Sequence, residues 1–254
     1  MKKRVLINGA GGAVGRTLSE AWKERYDLTL CDVRMPDADC GDAHIADVRD
    51  YPRMRQLSEG QDALVHLAYL PHSQLGKNGD DEADISASIK CFEAAREGGA
   101  KKIVYASSNH ATGQNERDQL RRFSDPATVR ADSWYGLFKA MAEMMGTWFT
   151  QTDPDMRFVG IRIGTYGYDF TIESDPRTLR NCYSYITRRD LIQLFTLAVD
   201  YEGPQRSVIT YGTSGNTDGL NPGFMDIRPA MDILGYQPQD NIYLAHGHKY
   251  IERD

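Results

Sequence analysis

Short apolar runs recur along the first two thirds of the chain, each bounded by polar or glycine-rich positions. Val5-Leu6-Ile7, Leu28-Thr29-Leu30-Cys31, Ala63-Leu64-Val65-His66-Leu67, Ile103-Val104-Tyr105-Ala106 and Phe158-Val159-Gly160-Ile161 read as strands. They are apolar without strict alternation, the pattern of strands buried on both faces. Segments of helical period separate them. Residues 13–25 place Val14, Leu18, Ala21 and Trp22 on one face, residues 85–96 run up to Gly98-Gly99, and residues 133–150 predict a long helix. Strands alternating with helices predict an α/β fold with a parallel sheet covered on both sides.

The rhythm then breaks. Residues 112–132 and 164–184 are polar and irregular, and residues 212–223 are rich in glycine. These read as loops carried on a scaffold, where binding groups collect. A last helix is expected over 226–236, stopped at Leu234-Gly235-Tyr236. No repeat or low-complexity linker divides the chain, so residues 1–254 are expected to form one domain, with insertions around 164–184 and 212–240.

Composition narrows the function classes. The chain has 254 residues and a formal charge of -6, from 30 Lys+Arg against 36 Asp+Glu. That balance argues against nucleic acid as a partner. No run approaches the ~20 apolar residues of a membrane span. Cys31, Cys40, Cys91 and Cys182 form no C-x-x-C pair, and the apolar run after Met1-Lys2-Lys3-Arg4 is too short for a signal-peptide core. A reduced, cytoplasmic protein is expected. His246 and His248 form an H-x-H pair without an apparent third ligand, so no metal site is expected.

Two groups of residues carry candidate chemistry. The first is Asn8-Gly9-Ala10-Gly11-Gly12-Ala13-Val14-Gly15-Arg16, which follows a strand and opens a helix. Glycines let the backbone turn tightly and approach a pyrophosphate, and a helix N-terminus favours the anion. Such a turn can equally serve only to join strand to helix, but Asp32 ends the second strand 20 residues after Gly12. A carboxylate there suits an adenosine ribose 2′-OH and repels a 2′-phosphate, favouring NAD over NADP, although Arg34 nearby blurs that choice. The second group is Tyr135-Gly136-Leu137-Phe138-Lys139 on the long helix, preceded by Ser107-Ser108-Asn109-His110 after the fourth strand. Positions i and i+4 share a helix face, so phenol and ammonium reach one small volume. A neighbouring Lys⁺ favours the phenolate form of a tyrosine. Ligands of open parallel sheets lie beyond the carboxyl ends of the strands, where the serines fall.

The spacing Gly9-x-x-Gly12-x-x-Gly15, the Asp47-Val48 pair and the Ser108, Tyr135, Lys139 set resemble the extended short-chain dehydrogenase/reductase superfamily. Together with Ser-Ser-Asn-His and Ile161-Arg162-Ile163-Gly164-Thr165, the chain looks like uronate dehydrogenase and related NAD-dependent sugar C1 dehydrogenases. The resemblance implies a Rossmann-like doubly wound parallel sheet with a small C-terminal substrate lobe. It implies NAD held by Gly9, Gly12, Ala13, Val14, Gly15, Asp32, Val33, Asp47, Val48, Leu67, Ala68, Tyr135, Lys139 and Ile163. Ser108, Tyr135 and Lys139 would be catalytic. Ser108, Asn109, His110, Tyr135 and Thr165 would contact a sugar or sugar acid, with Arg177 or Arg180 for an acidic substituent. It also implies a homo-oligomer pairing through the 133–150 helix. A nucleotide-sugar epimerase or dehydratase of the same superfamily, and a non-catalytic NAD sensor, are the alternatives. A substrate-side serine expected after the third strand is absent from His66-Leu67-Ala68-Tyr69-Leu70.

Overall fold

Each apolar run named above becomes a strand of one sheet. The computed structural model describes residues 1–70, 81–117, 128–166, 183–216 and 225–241. The strands are β1 (Arg4–Asn8), β2 (Asp27–Asp32), β3 (Asp42–Ile45), β4 (Ala63–His66), β5 (Lys102–Ser108), β6 (Arg157–Ile163) and β7 (Ser207–Gly212). The helices are α1 (Ala13–Trp22), α2 (Tyr51–Leu57), α3 (Asp81–Gly98), α4 (Gly113–Arg117), α5 (Trp134–Thr152) and α6 (Arg188–Asp200). All strand pairings are parallel, and the order is β3-β2-β1-β4-β5-β6-β7.

Side chains of a strand point alternately to its two faces, and both faces are filled. Val5, Ile7, Leu28, Leu30, Val65, Val104, Val159 and Ile161 pack with Leu18 and Trp22 of α1 and with Leu191, Leu194 and Phe195 of α6. Leu6, Cys31, Leu64, Ile103, Tyr105 and Phe158 pack on the opposite side with Met54, Cys91, Phe92 and Phe149 of α2, α3 and α5. That two-sided burial is why the strands lack a polar face in the sequence.

The chain winds in one direction through β1, β2 and β3, then returns across β1 to β4. The reversal opens a crevice at the carboxyl ends of β1 and β4, the usual ligand position in such sheets.

Several elements exceed the sequence-based expectation. β3 is a half-exposed edge strand with little apolar signal. α6 does carry the signal, since Leu191, Leu194, Phe195 and Ala198 recur at helical spacing and are buried. The helix expected over 226–236 forms over residues 228–234, its Ala230–Leu234 stretch is π-helical, and Gly235 closes it at φ 77°. Cys31, Cys40 and Cys91 are buried and not cross-linked among the described residues. No helix among them is long and apolar enough to cross a membrane.

Candidate active site

The glycine turn lies at the mouth of the crevice. Gly9 has φ 73°, and a β-carbon on it would lie 2.6 Å from the Ala68 amide nitrogen. Glycine is therefore required both by conformation and by close approach. A β-carbon on Gly15 would fall 2.4 Å from the Gly9 carbonyl oxygen, so α1 can press against the turn only with glycine there. Gly12 caps α1, with no side chain bonded to the cap and no acidic residue in the first turn. The first N–H groups of the helix, from Ala13, Val14 and Gly15, thus form a compact positive end suited to an anion.

Asn8 and His66 tie the two strands together at the reversal. Asn8 Nδ2 lies 2.7 Å from His66 Nδ1. Asn8 Oδ1 accepts from the Leu67 and Ala68 amides at 3.1 and 3.2 Å. Because an amide NH₂ only donates, His66 Nδ1 is the acceptor and its Nε2–H points to Ser88 Oγ at 3.2 Å. Burial, with a smaller contribution from the Lys139 charge, pushes the His66 pKa down to about 3. His66 is thus a neutral structural strut holding Leu67 and Ala68 beside Gly9.

Asp32 sits at the end of β2, its carboxylate 3.0 Å from the Gly11 amide and 3.3 Å from the Arg34 amide. Val33 beside it is exposed. Asp47 is engaged by Arg49 through Nε at 3.0 Å and Nη2 at 2.5 Å. The Arg49 hydrogen bonds hold its carboxyl below the usual carboxylate range despite partial burial. Val48 is built into the core beneath it, with Met54 and Cys91.

The chemical groups gather at the end of β5. Ser108 is the last residue of that strand, and its Oγ accepts from the His110 amide at 3.2 Å. Ser107 points the other way and donates to Glu143 at 2.5 Å. The two serines are therefore separated by role, with Ser108 on the turn side and Ser107 in the interior. Asn109 and His110 form the short 3₁₀ turn that follows. Ser133 caps α5 by accepting from the Gly136 amide, so Tyr135 and Lys139 fall on its first turns. A β-carbon on Gly136 would lie 2.0 Å from the His110 carbonyl oxygen, so the glycine lets α5 seat directly against the turn.

Lys139 is buried and donates to the Ala106 carbonyl at 2.9 Å. Its ammonium lies 5.7 Å from the Tyr135 ring centroid, 4.8 Å from that of Tyr105 and 5.4 Å from that of Tyr69. Such aromatic faces stabilise a cation that burial would otherwise penalise. Tyr135 packs edge-on to Tyr69 at 4.9 Å and to His110 at 5.6 Å. Ser108, Asn109, His110, Tyr135 and Lys139 are therefore neighbours in space. Ile163 ends β6, and Thr165 lies two residues beyond it in an isolated bridge to Tyr185, with Thr165 Oγ1 2.8 Å from Ser184 Oγ. Arg177 and Arg180, and the histidines 246 and 248, lie outside the described residues.

Several members of this neighbourhood were not singled out from the sequence. Tyr69 lies in the segment from which the expected substrate-side serine is absent, and its ring packs on Tyr135. Glu143 lies one turn beyond Lys139 on the same face, so the spacing 135, 139, 143 carried a usable signal. Its partners are Arg162 Nε and Nη2, both at 2.8 Å. Arg162 in turn lies 5.6 Å from the Tyr211 ring, and Tyr211 bonds Thr112 at 2.6 Å. Asp132, which bonds His110, has no periodic signal at all.

Residues 5–189 match the NAD dependent epimerase/dehydratase family. The chain belongs to that family. An NAD-dependent glucose-6-phosphate dehydrogenase of Haloferax volcanii is 30% identical, over 95% of this chain and 95% of its own. A uronate dehydrogenase of Pseudomonas putida is 31% identical, over 94% of this chain and 84% of its own. Among solved structures, a glucuronic acid dehydrogenase from Chromohalobacter salexigens superposes with a TM-score of 0.79 at 27% identity, covering 100% of this chain and 92% of that one. The glycine turn, the open α1 N-terminus and Asp32 at the β2 end are the features a family cofactor of the NAD type needs, and the described residues fit it.

Proposed function

We propose that the protein is an NAD-dependent dehydrogenase that oxidises the anomeric carbon of a sugar or sugar acid and releases a lactone. The observation that carries this reading is the gathering of Tyr135, Lys139 and Ser108 beside the β1–β4 crevice, with only β4 between the strand of Ser108 and the strand that leads into the glycine turn. NAD⁺, when bound, supplies the acceptor for the two electrons leaving the carbinol carbon. Gly9, Gly12, Ala13, Val14 and Gly15 would hold its pyrophosphate, and Asp32 with Val33 would receive the adenosine ribose. Asp47, Leu67, Ala68 and Ile163 would flank the rest of that cofactor, with Val48 packed in the core behind them.

Tyr135, as phenolate, takes the proton of the C1 hydroxyl. Lys139 favours that phenolate by its charge and would donate to the nicotinamide ribose. Ser108 turns its hydroxyl from the 3.4 Å contact with Asn109 Oδ1 to donate to the reacting oxygen, while its oxygen keeps accepting the His110 amide. Asn109, His110 and Thr165 orient the sugar ring. Arg177 or Arg180 reads an acidic substituent, in a substrate lobe made from residues 164–184 and 212–240. We further infer a cytoplasmic homo-oligomer paired through α5, whose Trp134, Met141, Met144 and Trp148 are exposed. A face with that much apolar surface suits burial against a second copy.

The test is absorbance at 340 nm with purified protein, NAD⁺ and a panel of uronic acids, aldoses and sugar phosphates. Substrate-dependent NADH formation that is lost in Tyr135→Phe supports the reading. A protein that binds NAD⁺ yet leaves every sugar unoxidised refutes it, and tight UDP-sugar binding would then favour an epimerase.

A further inference from the structure

His110 is held by a carboxylate that belongs to no role assigned above. Its Nδ1 lies 2.9 Å from both oxygens of Asp132. The Asp132 side chain is 2% exposed, whereas that of His110 is 45% exposed. The local backbone is built around this pair. Asp132 N donates to the His110 carbonyl at 3.3 Å, and Arg130 N to the Ala111 carbonyl at 3.2 Å. A β-carbon on Gly113 would lie 2.4 Å from Asp132 Oδ2, so glycine makes room for the carboxylate. Ser133 Oγ donates to Asp132 Oδ1 at 2.9 Å and fixes its orientation from the other side.

A carboxylate only accepts, so the proton of the neutral His110 ring resides on Nδ1. Nε2 then carries the lone pair. It has no hydrogen-bond partner among the described residues, and the ring stands 5.6 Å from that of Tyr135. We propose that Asp132 is a positioning residue: it locks His110 in the Nδ1–H form, so that Nε2 accepts from a hydroxyl of the substrate ring. The proposal rests on the sugar-dehydrogenase reading and sharpens it. It assigns this nitrogen to a sugar hydroxyl and leaves any carboxylate or phosphate of the substrate to other residues. It also predicts discrimination against a deoxy sugar lacking that hydroxyl, because the site's acceptor would be left unpaired.

The test combines Asp132→Asn, His110→Ala and the double variant, with Asp132→Glu as the conservative control. Asparagine keeps the shape of the side chain but can offer its NH₂ to Nδ1, so the ring proton is no longer fixed there. Asp132→Asn is expected to raise KM for the oxidised sugar about tenfold, the scale of one hydrogen bond, with NAD⁺ affinity and kcat changed far less. It should add nothing in the His110→Ala background, since it acts through the ring. Asp132→Glu should recover part of the loss. Ring ¹⁵N spectra of the sugar-free protein should show a protonated Nδ1 and an unprotonated Nε2. An unchanged KM in Asp132→Asn, additivity with His110→Ala, or a proton on Nε2 would overturn this assignment while sugar oxidation stood. A wild-type protein silent on every sugar would overturn the functional reading instead, and the hydroxyl assignment with it.

Discussion

Glu143 and Arg162 form an ion pair directly behind the site, and breaking it has a calculable cost. Their side chains are 2% and 0% exposed, and Arg162 is held through two 2.8 Å hydrogen bonds. Burial opposes the Arg162 charge, but the Glu143 hydrogen bonds outweigh it and keep the pKa raised. Glu143→Gln preserves shape and removes the counter-charge, leaving a guanidinium buried without its anion. Losing one partner of such a pair costs about 3–5 kcal/mol. For a chain of this size, that lowers Tm by about 10 °C. Replacing both residues with methionine removes the need for charge, so the double variant should recover much of the loss. Thermal melts of the wild type, Glu143→Gln, Arg162→Met and Glu143→Met with Arg162→Met complete the comparison. A Glu143→Gln Tm within about 2 °C of wild type would show that the buried guanidinium does not need this anion. So would a double variant as unstable as the two single losses combined.

Three further outcomes are expected. Gly9→Ala forces a left-handed residue and a 2.6 Å contact with Ala68, so calorimetry should show NAD⁺ affinity reduced about tenfold or more while the fold survives. His66, with its folded pKa near 3, refuses a proton that the unfolded chain accepts below about 6.5. Its stabilisation is present at neutral pH and is lost as pH falls through that window. Urea unfolding should lose about 2 kcal/mol from this group between pH 7 and pH 5. His66→Gln should flatten that slope, and an unaltered slope would contradict it. Met144→Lys places a charge on the exposed face of α5, where Met144 is 67% exposed. Light scattering should find an oligomer for wild type and a monomer for the variant; equal masses would count against pairing through α5.

The central strands and their flanking helices were legible because burial on both faces leaves unbroken apolar runs such as Val5-Leu6-Ile7. β3 was not, since an edge strand with one half-exposed face needs few apolar residues. The glycine turn and the Tyr135–Lys139 spacing were readable because each encodes a local geometry. The same period extended to Glu143, but a carboxylate on an apolar helix reads as surface until Arg162 and Ser107 are seen around it. Asp132 illustrates the limit. Its meaning comes from the fold bringing residues 110 and 132 together, and no spacing rule links them. Over residues 226–236 the helix and its glycine stop were both legible, but the helix starts at residue 228 and no spacing rule marks Ala230–Leu234 as π-helical.

The most direct test of the account is to follow the hydrogen that leaves C1. A sugar active in the absorbance assay would be supplied with deuterium at C1, and the reduced cofactor isolated for mass spectrometry. Hydride transfer from C1 should give NADH one mass unit heavier, label and cofactor in equal amounts, and a lactone product without the label. Unlabelled reduced cofactor, or deuterium retained in the sugar without net NADH, would contradict oxidation at the anomeric carbon.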